Sequence, residues 1–268
     1  MRMLAAFFDV LERNPRDANV LSSTRELYRA LGSNTGEQED VHECLLGIIQ
    51  RLSSGHRKRT EVLAKTRSKI VGGLDSLMRS VVDYMDSQWT PKTDLEAMFT
   101  GQFAHMTVCT VCQRLRVTAD DFTCLSVSGP DIARGIQTYM GAEVLDDLDC
   151  EWCTRKTKSK RITRIHRCPS ILCVLANGDD PKRVQETIDV KPYTSQILDD
   201  RKTVEYELRA AACHFGSLKY GGHYVALCKG GDNRWSVYND TVSTDANDPK
   251  VRAMVASKAY LIVYELRW

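Results

Sequence analysis

In the run "KYGGHYVALCKGGDNRWSVYND", His223 follows two glycines, and the pair Asn239-Asp240 comes sixteen residues later, just past Trp235. A histidine serves as general base for a thiol at neutral pH when a polar group fixes its tautomer and orientation. Asn239 or Asp240, on the next strand, is placed to be that group. Gly221-Gly222 would let the backbone approach something closely, because glycine carries no side chain. The plainer reading is a structural histidine on a strand. What this half of a site lacks is a nucleophile.

Four of the ten cysteines form two C-x-x-C pairs, Cys109/Cys112 and Cys150/Cys153, separated by 37 residues. Each short pair can sit on a tight turn that aims two sulfurs at one point. Two such turns supply four thiolates in tetrahedral array, which suits one structural zinc and leaves no open coordination position for catalysis. In a chain without a secretory signal these pairs read more naturally as metal ligands than as disulfides. The alternative is four unliganded cysteines. Beyond the second pair, "TRKTKSKRITRIHR" holds seven Lys or Arg between Arg155 and Arg167. It reads either as a zinc ribbon gripping nucleic-acid phosphates or as a solvated hairpin with a charged outer face. No aromatic residues are interleaved there for base stacking, which speaks against nucleic acid.

The elements that must position these residues change type along the chain. In "EQEDVHECLLGIIQRL", Val41, Leu45, Ile48, Ile49 and Leu52 recur at helical spacing and predict one buried stripe. After the basic linker "SSGHRKRT", the same period through Val62, Ile70, Leu74, Leu77, Met78, Val81 and Met85 predicts a second helical region. Gly72-Gly73 would break it, and Trp89-Thr90-Pro91 ends it. From about Leu95 the pattern turns to short runs rich in Val, Ile, Thr and aromatics, which read as strands. Residues 131–148, with Ile132, Ile136, Tyr139, Met140, Val144 and Leu145, read as a helical insertion. Helices followed by a mostly antiparallel sheet make the fold class α+β.

With 268 residues, 43% of them hydrophobic, the chain can bury a sizeable core; its net charge of +2 gives no field pointing to nucleic acid or an acidic membrane. Its apolar stretches are too short and interrupted to span a bilayer, and no signal-peptide cleavage site is evident, so a cytoplasmic or nuclear location is expected.

The histidine segment resembles that of the ubiquitin-specific proteases, cysteine proteases that cleave after the C-terminal glycine of ubiquitin. Their pattern runs Y-x-L, G-H-Y-x-A, W-x-x-[FY]-[DN]-D, a V and a final A-Y-x-L-x-Y. Here stand Tyr206 and Leu208, Gly222-His223-Tyr224-Val225-Ala226, Trp235, Tyr238-Asn239-Asp240, Val242, and Ala259 to Tyr264. "QEDVHECL" from Gln38 resembles the family's Q-Q-D-A-H-E-F-L box, and "FTGQFAHMTVCTVC" with "CEWC" resembles the entry to its zinc-bearing fingers. The resemblance implies a papain-like fold of thumb, fingers and palm in a single domain over residues 1–268. The thumb would run to about residue 95, the fingers and part of the palm over 96–165, and the palm over 166–268. It also implies that His223 is the base, Asn239 its orienting partner and Asp240 an auxiliary polar residue. Implied partners are ubiquitin or ubiquitinated proteins, within a larger complex in some cases. Two segments depart from the pattern: "LANGDD" stands where the family has L-x-R-F, and Cys44 replaces the aromatic of the Q-Q-D box.

The family's nucleophile lies in an N-terminal box, G-N-x-C-Y-x-N-S-x-L-Q-x-L-F, yet no cysteine precedes Cys44. "MRMLAAFFDV" fits the tail of that box, with Leu4, Phe7 and Phe8 on its L, L and F. That register places the catalytic cysteine just upstream of Met1. Cys213 and Cys228 lie in apolar strand-like runs that favour ordinary buried cysteines, and Cys44 sits one turn inside a helix. The sequence therefore predicts either a deubiquitinase whose nucleophile lies outside the given chain, or an inactive relative that binds ubiquitin or scaffolds a complex. As written, the chain is expected to be inactive.

Overall fold

The computed structural model describes residues 40–53, 76–195, 202–217 and 221–267. The expected break at Gly72-Gly73, the first half of the second helical region and the register of "MRMLAAFFDV" lie outside them. Helix α1 spans Val41–Ser53. It starts where it does because the Asp40 carboxylate accepts hydrogen bonds from the backbone N–H groups of His42 (2.8 Å) and Glu43 (3.2 Å), two of the donors a helix start leaves unpaired. Of its predicted stripe, only Ile49 is fully buried; Val41, Leu45, Ile48 and Leu52 are half-buried. Helix α2, Ser76–Ser87, stops just short of Trp89-Thr90-Pro91. Asp86 on α2 pairs with Arg167 at 2.8 Å, and the Arg167 guanidinium lies 3.8 Å from the centre of the Trp89 ring. Helix α3, Asp94–Phe99, is capped by Thr93, whose hydroxyl accepts from the Glu96 N–H.

Twelve strands follow in two sheets among the described residues. The smaller sheet contains β1 (Gly101–Cys109), β2 (Leu115–Phe122), β4 (Ala142–Cys150) and β5 (Arg155–Arg167) in the order β2-β1-β5-β4. The larger contains β3 (Cys124–Ser128), β6 (Ile171–Asn177), β8 (Glu205–Ser217), β9 (Gly221–Lys229), β10 (Trp235–Asn239), β11 (Val242–Asp245) and β12 (Ala259–Leu266). Its order is β11-β10-β9-β8-β12-β6-β3, with the short β7 (Thr187–Asp189) paired to β8. Only β3 and β6 run parallel. The core packs against this sheet and includes Leu125, Leu172, Val174, Tyr206, Leu227, Trp235, Ile262 and Tyr264.

The helical insertion expected over 131–148 is corrected. Helix α4 covers only Ile132–Tyr139, capped by Asp131, and Ala142–Cys150 is the edge strand β4. The reason lies in a register shift between Leu145 and Leu148. A bulge breaks the period of two and leaves apolar residues three apart, which mimics a helical stripe. The acidic residues of β4 instead face the basic strand β5, through Glu143–Arg161 at 2.6 Å and Asp146–Lys158 at 3.1 Å. The charge run thereby becomes a cross-strand ladder, the solvated-hairpin reading of those residues.

Candidate functional site

β9 and its neighbours alternate strictly between two faces. On one face Val225, Leu227, Cys213, Val237 and Trp235 are buried. The same face reaches solvent at the strand ends, and there stand His223 and Asn239. Strand pairing of Val237 with Leu227 and Tyr238 with Ala226 sets the register that brings them together. His223 Nε2 lies 2.6 Å from Asn239 Oδ1. An amide oxygen only accepts, so Nε2 carries the hydrogen and the basic lone pair is left on Nδ1. Among the described residues Nδ1 makes no hydrogen bond, and the side chain is 47% exposed. The pair is thus a fixed imidazole presenting its basic nitrogen to the outside.

Asp240 is placed differently. Its carboxylate is 3.8 Å from the same Nε2, beyond hydrogen-bond distance, and its side chain is 78% exposed. With φ at +50° it makes the turn from β10 to β11. Its influence on His223 is a screened, through-space one.

Three residues around this pair were not singled out for these contacts in the sequence. The His214 ring fills the space over Gly222, where an added Cβ would come within 2.5 Å of it and 2.6 Å of the Phe215 carbonyl oxygen. Tyr224, directly opposite His214 in the β8–β9 register, packs beside it with ring centres 4.8 Å apart and planes tilted by 58°. Tyr260 on β12 donates its hydroxyl to Asp40 Oδ2 at 2.6 Å, which ties the start of α1 to the large sheet. Burial pushes the Asp40 carboxyl up, but the Tyr260 hydroxyl and the N–H groups of Glu43 and His42 together outweigh it and hold it below its ordinary value. Burial, then the neighbouring carboxylate, raises Tyr260. No local sequence signal joins residues 220 apart; the paired motifs containing Asp40 and Tyr260 were the only hint.

Neither strand cysteine offers a thiolate. Burial pushes the Cys213 thiol up to about 12 and the Cys228 thiol up to about 11. The "LANGDD" segment turns at Gly178 and closes around the buried Lys182, whose ammonium donates to the carbonyl oxygens of Gly178 and Asp180.

The four predicted ligand cysteines come together at one end of the small sheet. Two like turns carry them: Gln113 N–H bonds the Cys109 carbonyl at 3.0 Å, and Thr154 N–H bonds the Cys150 carbonyl at 2.8 Å. Gln113 and Thr154 close these turns in the left-handed region, at φ +59° and +54°. All four Sγ atoms lie within 4.8 Å of one another, with Cys109–Cys153 at 3.9 Å and Cys112–Cys150 at 3.7 Å. A Zn–S bond of about 2.3 Å in a tetrahedron requires sulfurs about 3.8 Å apart. The donor set and spacing therefore fit a structural zinc. The Thr157 hydroxyl and backbone N–H groups hold the Cys109 thiol down to about 6, while burial and the neighbouring thiols push Cys153 up to about 12. A divalent cation at the centre removes that mutual penalty, since coordination favours thiolate at every ligand.

Comparison with known proteins places this geometry. The sequence profile of the family described as ubiquitin carboxyl-terminal hydrolase matches residues 3–264. The Drosophila melanogaster protein ubiquitin carboxyl-terminal hydrolase Usp2 is 30% identical over 186 residues, covering 63% of this chain and 20% of that protein. A probable ubiquitin carboxyl-terminal hydrolase creB from Aspergillus clavatus is 22% identical over 271 residues, covering 92% of the chain and 35% of the relative. The chain thus spans about a fifth to a third of the length of these relatives. Among solved structures, the SAGA Ubp8/Sgf11/Sus1/Sgf73 DUB module bound to ubiquitin aldehyde aligns at TM-score 0.66 and 20% identity, over 93% of this chain and 53% of that one. The fold is that of the papain-like deubiquitinase domains.

Proposed function

The chain belongs to the ubiquitin carboxyl-terminal hydrolase family, and from that premise we propose that it is the ubiquitin-binding and proton-handling part of a thiol-dependent deubiquitinase. The observation that carries the reading is the His223–Asn239 bond at 2.6 Å, which commits Nε2 and leaves Nδ1 as the base. Asn239 holds the imidazole's orientation and tautomer; Asp240, in the turn after β10, is an auxiliary polar residue 3.8 Å from the same nitrogen. Zinc held by Cys109, Cys112, Cys150 and Cys153 has a structural role, joining the two turns. The small sheet would form the fingers and the large sheet the palm, with the helices before about residue 95 as the thumb.

The nucleophile is assigned to a cysteine box N-terminal to Met1. His223 Nδ1 takes the thiol proton, and the thiolate attacks the carbonyl carbon of the last ubiquitin glycine. The imidazolium then gives that proton to the departing lysine amine as the C–N bond breaks. Water, deprotonated by the same imidazole, releases the ubiquitin carboxylate from the thioester. Ubiquitin as partner, and assembly into a larger complex, are supported by the likeness to a ubiquitin-aldehyde-bound module with further subunits.

The protein extended upstream to include the cysteine box is expected to hydrolyse ubiquitin–lysine adducts. His223→Ala should lower kcat by at least about 100-fold, with ubiquitin affinity within a few-fold. Undiminished turnover in that variant removes His223 from its role. The 268-residue chain itself should not react with a ubiquitin C-terminal electrophile. Labelling at Cys44, Cys213 or Cys228 would overturn the upstream assignment. An in-frame stop immediately before Met1, with no splice site, would instead favour the inactive, ubiquitin-binding relative.

A further inference from the structure

On the flank of His223 opposite Asn239 stands an exposed phenylalanine. In the β8–β9 register Phe215 is directly opposite His223. Directly opposed residues share one face of the sheet, with Cβ atoms about 4.5–5.5 Å apart. Farther along that face Cys213 and Val225 are buried at 0% and 7% exposure, whereas Phe215 is 40% exposed. His223 thus bonds a polar neighbour on β10 and has an apolar residue, Phe215, at the cross-strand position on β8.

The backbone around Phe215 is fixed. Gly216 lies at φ +132°, and a Cβ there would come within 2.8 Å of the Gly221 carbonyl oxygen and the Gly222 Cα. The strands approach so closely that no side chain fits between them at this pair. His214 fills the opposite face over Gly222. Phe215 is thus anchored on a tightly paired stretch of strand, with its ring on the side of the catalytic imidazole.

We infer that Phe215 is a specificity-determining residue that packs against the methylene stem of the substrate lysine. The inference rests on the deubiquitinase reading above. A general acid must lie within hydrogen-bond reach of the atom it protonates, so groups flanking the imidazole also flank the leaving group. In an isopeptide that leaving group is an amine at the end of four methylenes. An exposed ring beside the imidazole offers those methylenes an apolar wall and offers nothing to a free carboxylate.

The test is equilibrium binding of the 268-residue chain and its Phe215→Ala and Phe215→Leu variants. The two probes are free ubiquitin and ubiquitin joined through an isopeptide to Nα-acetyl-lysine amide. The wild-type chain should bind the lysine adduct at least about threefold more tightly than free ubiquitin, as expected for burial of a few methylenes. Phe215→Ala should abolish that preference while leaving free-ubiquitin affinity unchanged, and Phe215→Leu should keep most of it. A preference that survives Phe215→Ala, a wild-type chain with no preference, or an equal loss for both probes overturns the inference while leaving the deubiquitinase reading standing. Failure of the wild-type chain to bind ubiquitin at all removes that reading and this inference together.

Discussion

At the scale of single residues, position His223 depends on its neighbours' lack of side chains. Gly222 has ordinary backbone dihedrals, so its requirement is space and not conformation: a Cβ would meet the His214 ring and the Phe215 carbonyl at 2.5 and 2.6 Å. Gly222→Ala is therefore expected to destabilise the domain by about 1–3 kcal/mol, the usual penalty for forced overpacking. Urea unfolding measures it, and a loss within error would show that His214 moves freely aside. The glycine pair was visible in the sequence as a site of close approach. What approaches it was not, because His214 reaches Gly222 only through the cross-strand register.

At the scale of elements, the small sheet is joined at one end by two turns built alike and arriving from separate strand pairs. Its edge strand β4 is exposed over most of its length, and its other edge strand β2 has a single buried residue, Phe122, so these strands contribute little apolar burial. Metal binding free energy is folding free energy in such a module. Cys150→Ser, or prolonged treatment with a chelator, should release the zinc and remove hydrogen-exchange protection from β1, β2, β4 and β5, leaving β8, β9 and β12 protected. Retained protection in the small sheet would show that the metal adds nothing to its stability. Strand β4 also marks where periodicity misleads. Its bulge spaces Leu145 and Leu148 as a helix would, and only pairing with β5 shows the strand.

At the scale of the whole molecule, two carboxylates tie distant parts together. Asp40 joins α1 to β12 through Tyr260. Glu207 on β8 sits among Lys229, Arg209 and Arg267, and the Lys229 ammonium, followed by the arginines, holds its carboxyl below the ordinary value. A carboxyl with a lowered folded-state pKa contributes stability above its unfolded pKa, near about 4, and loses it as pH falls through the folded value. Global stability should therefore drop between about pH 5 and pH 3. Asp40→Asn keeps a helix-capping oxygen but removes a titrating charge, so its unfolding midpoint should fall less steeply over that range. An identical slope in the variant would exclude Asp40 as a contributor.

Residue types and their short spacings were enough to read the chemistry on offer: the C-x-x-C pairs, the histidine after two glycines, the Asn-Asp beyond the tryptophan, and the family pattern linking them. Those features are legible because each depends on residue type at short fixed spacing, which local turns and strands preserve. Tertiary structure decided which groups meet. Asn239 holds Nε2 while Asp240 stands off, because the turn after β10 swings the carboxylate out to 3.8 Å. Phe215 shares a sheet face with His223, and Tyr260 reaches Asp40, through strand register and sheet order. These long-range pairings arise from burying one face of a sheet, and no local spacing encodes them.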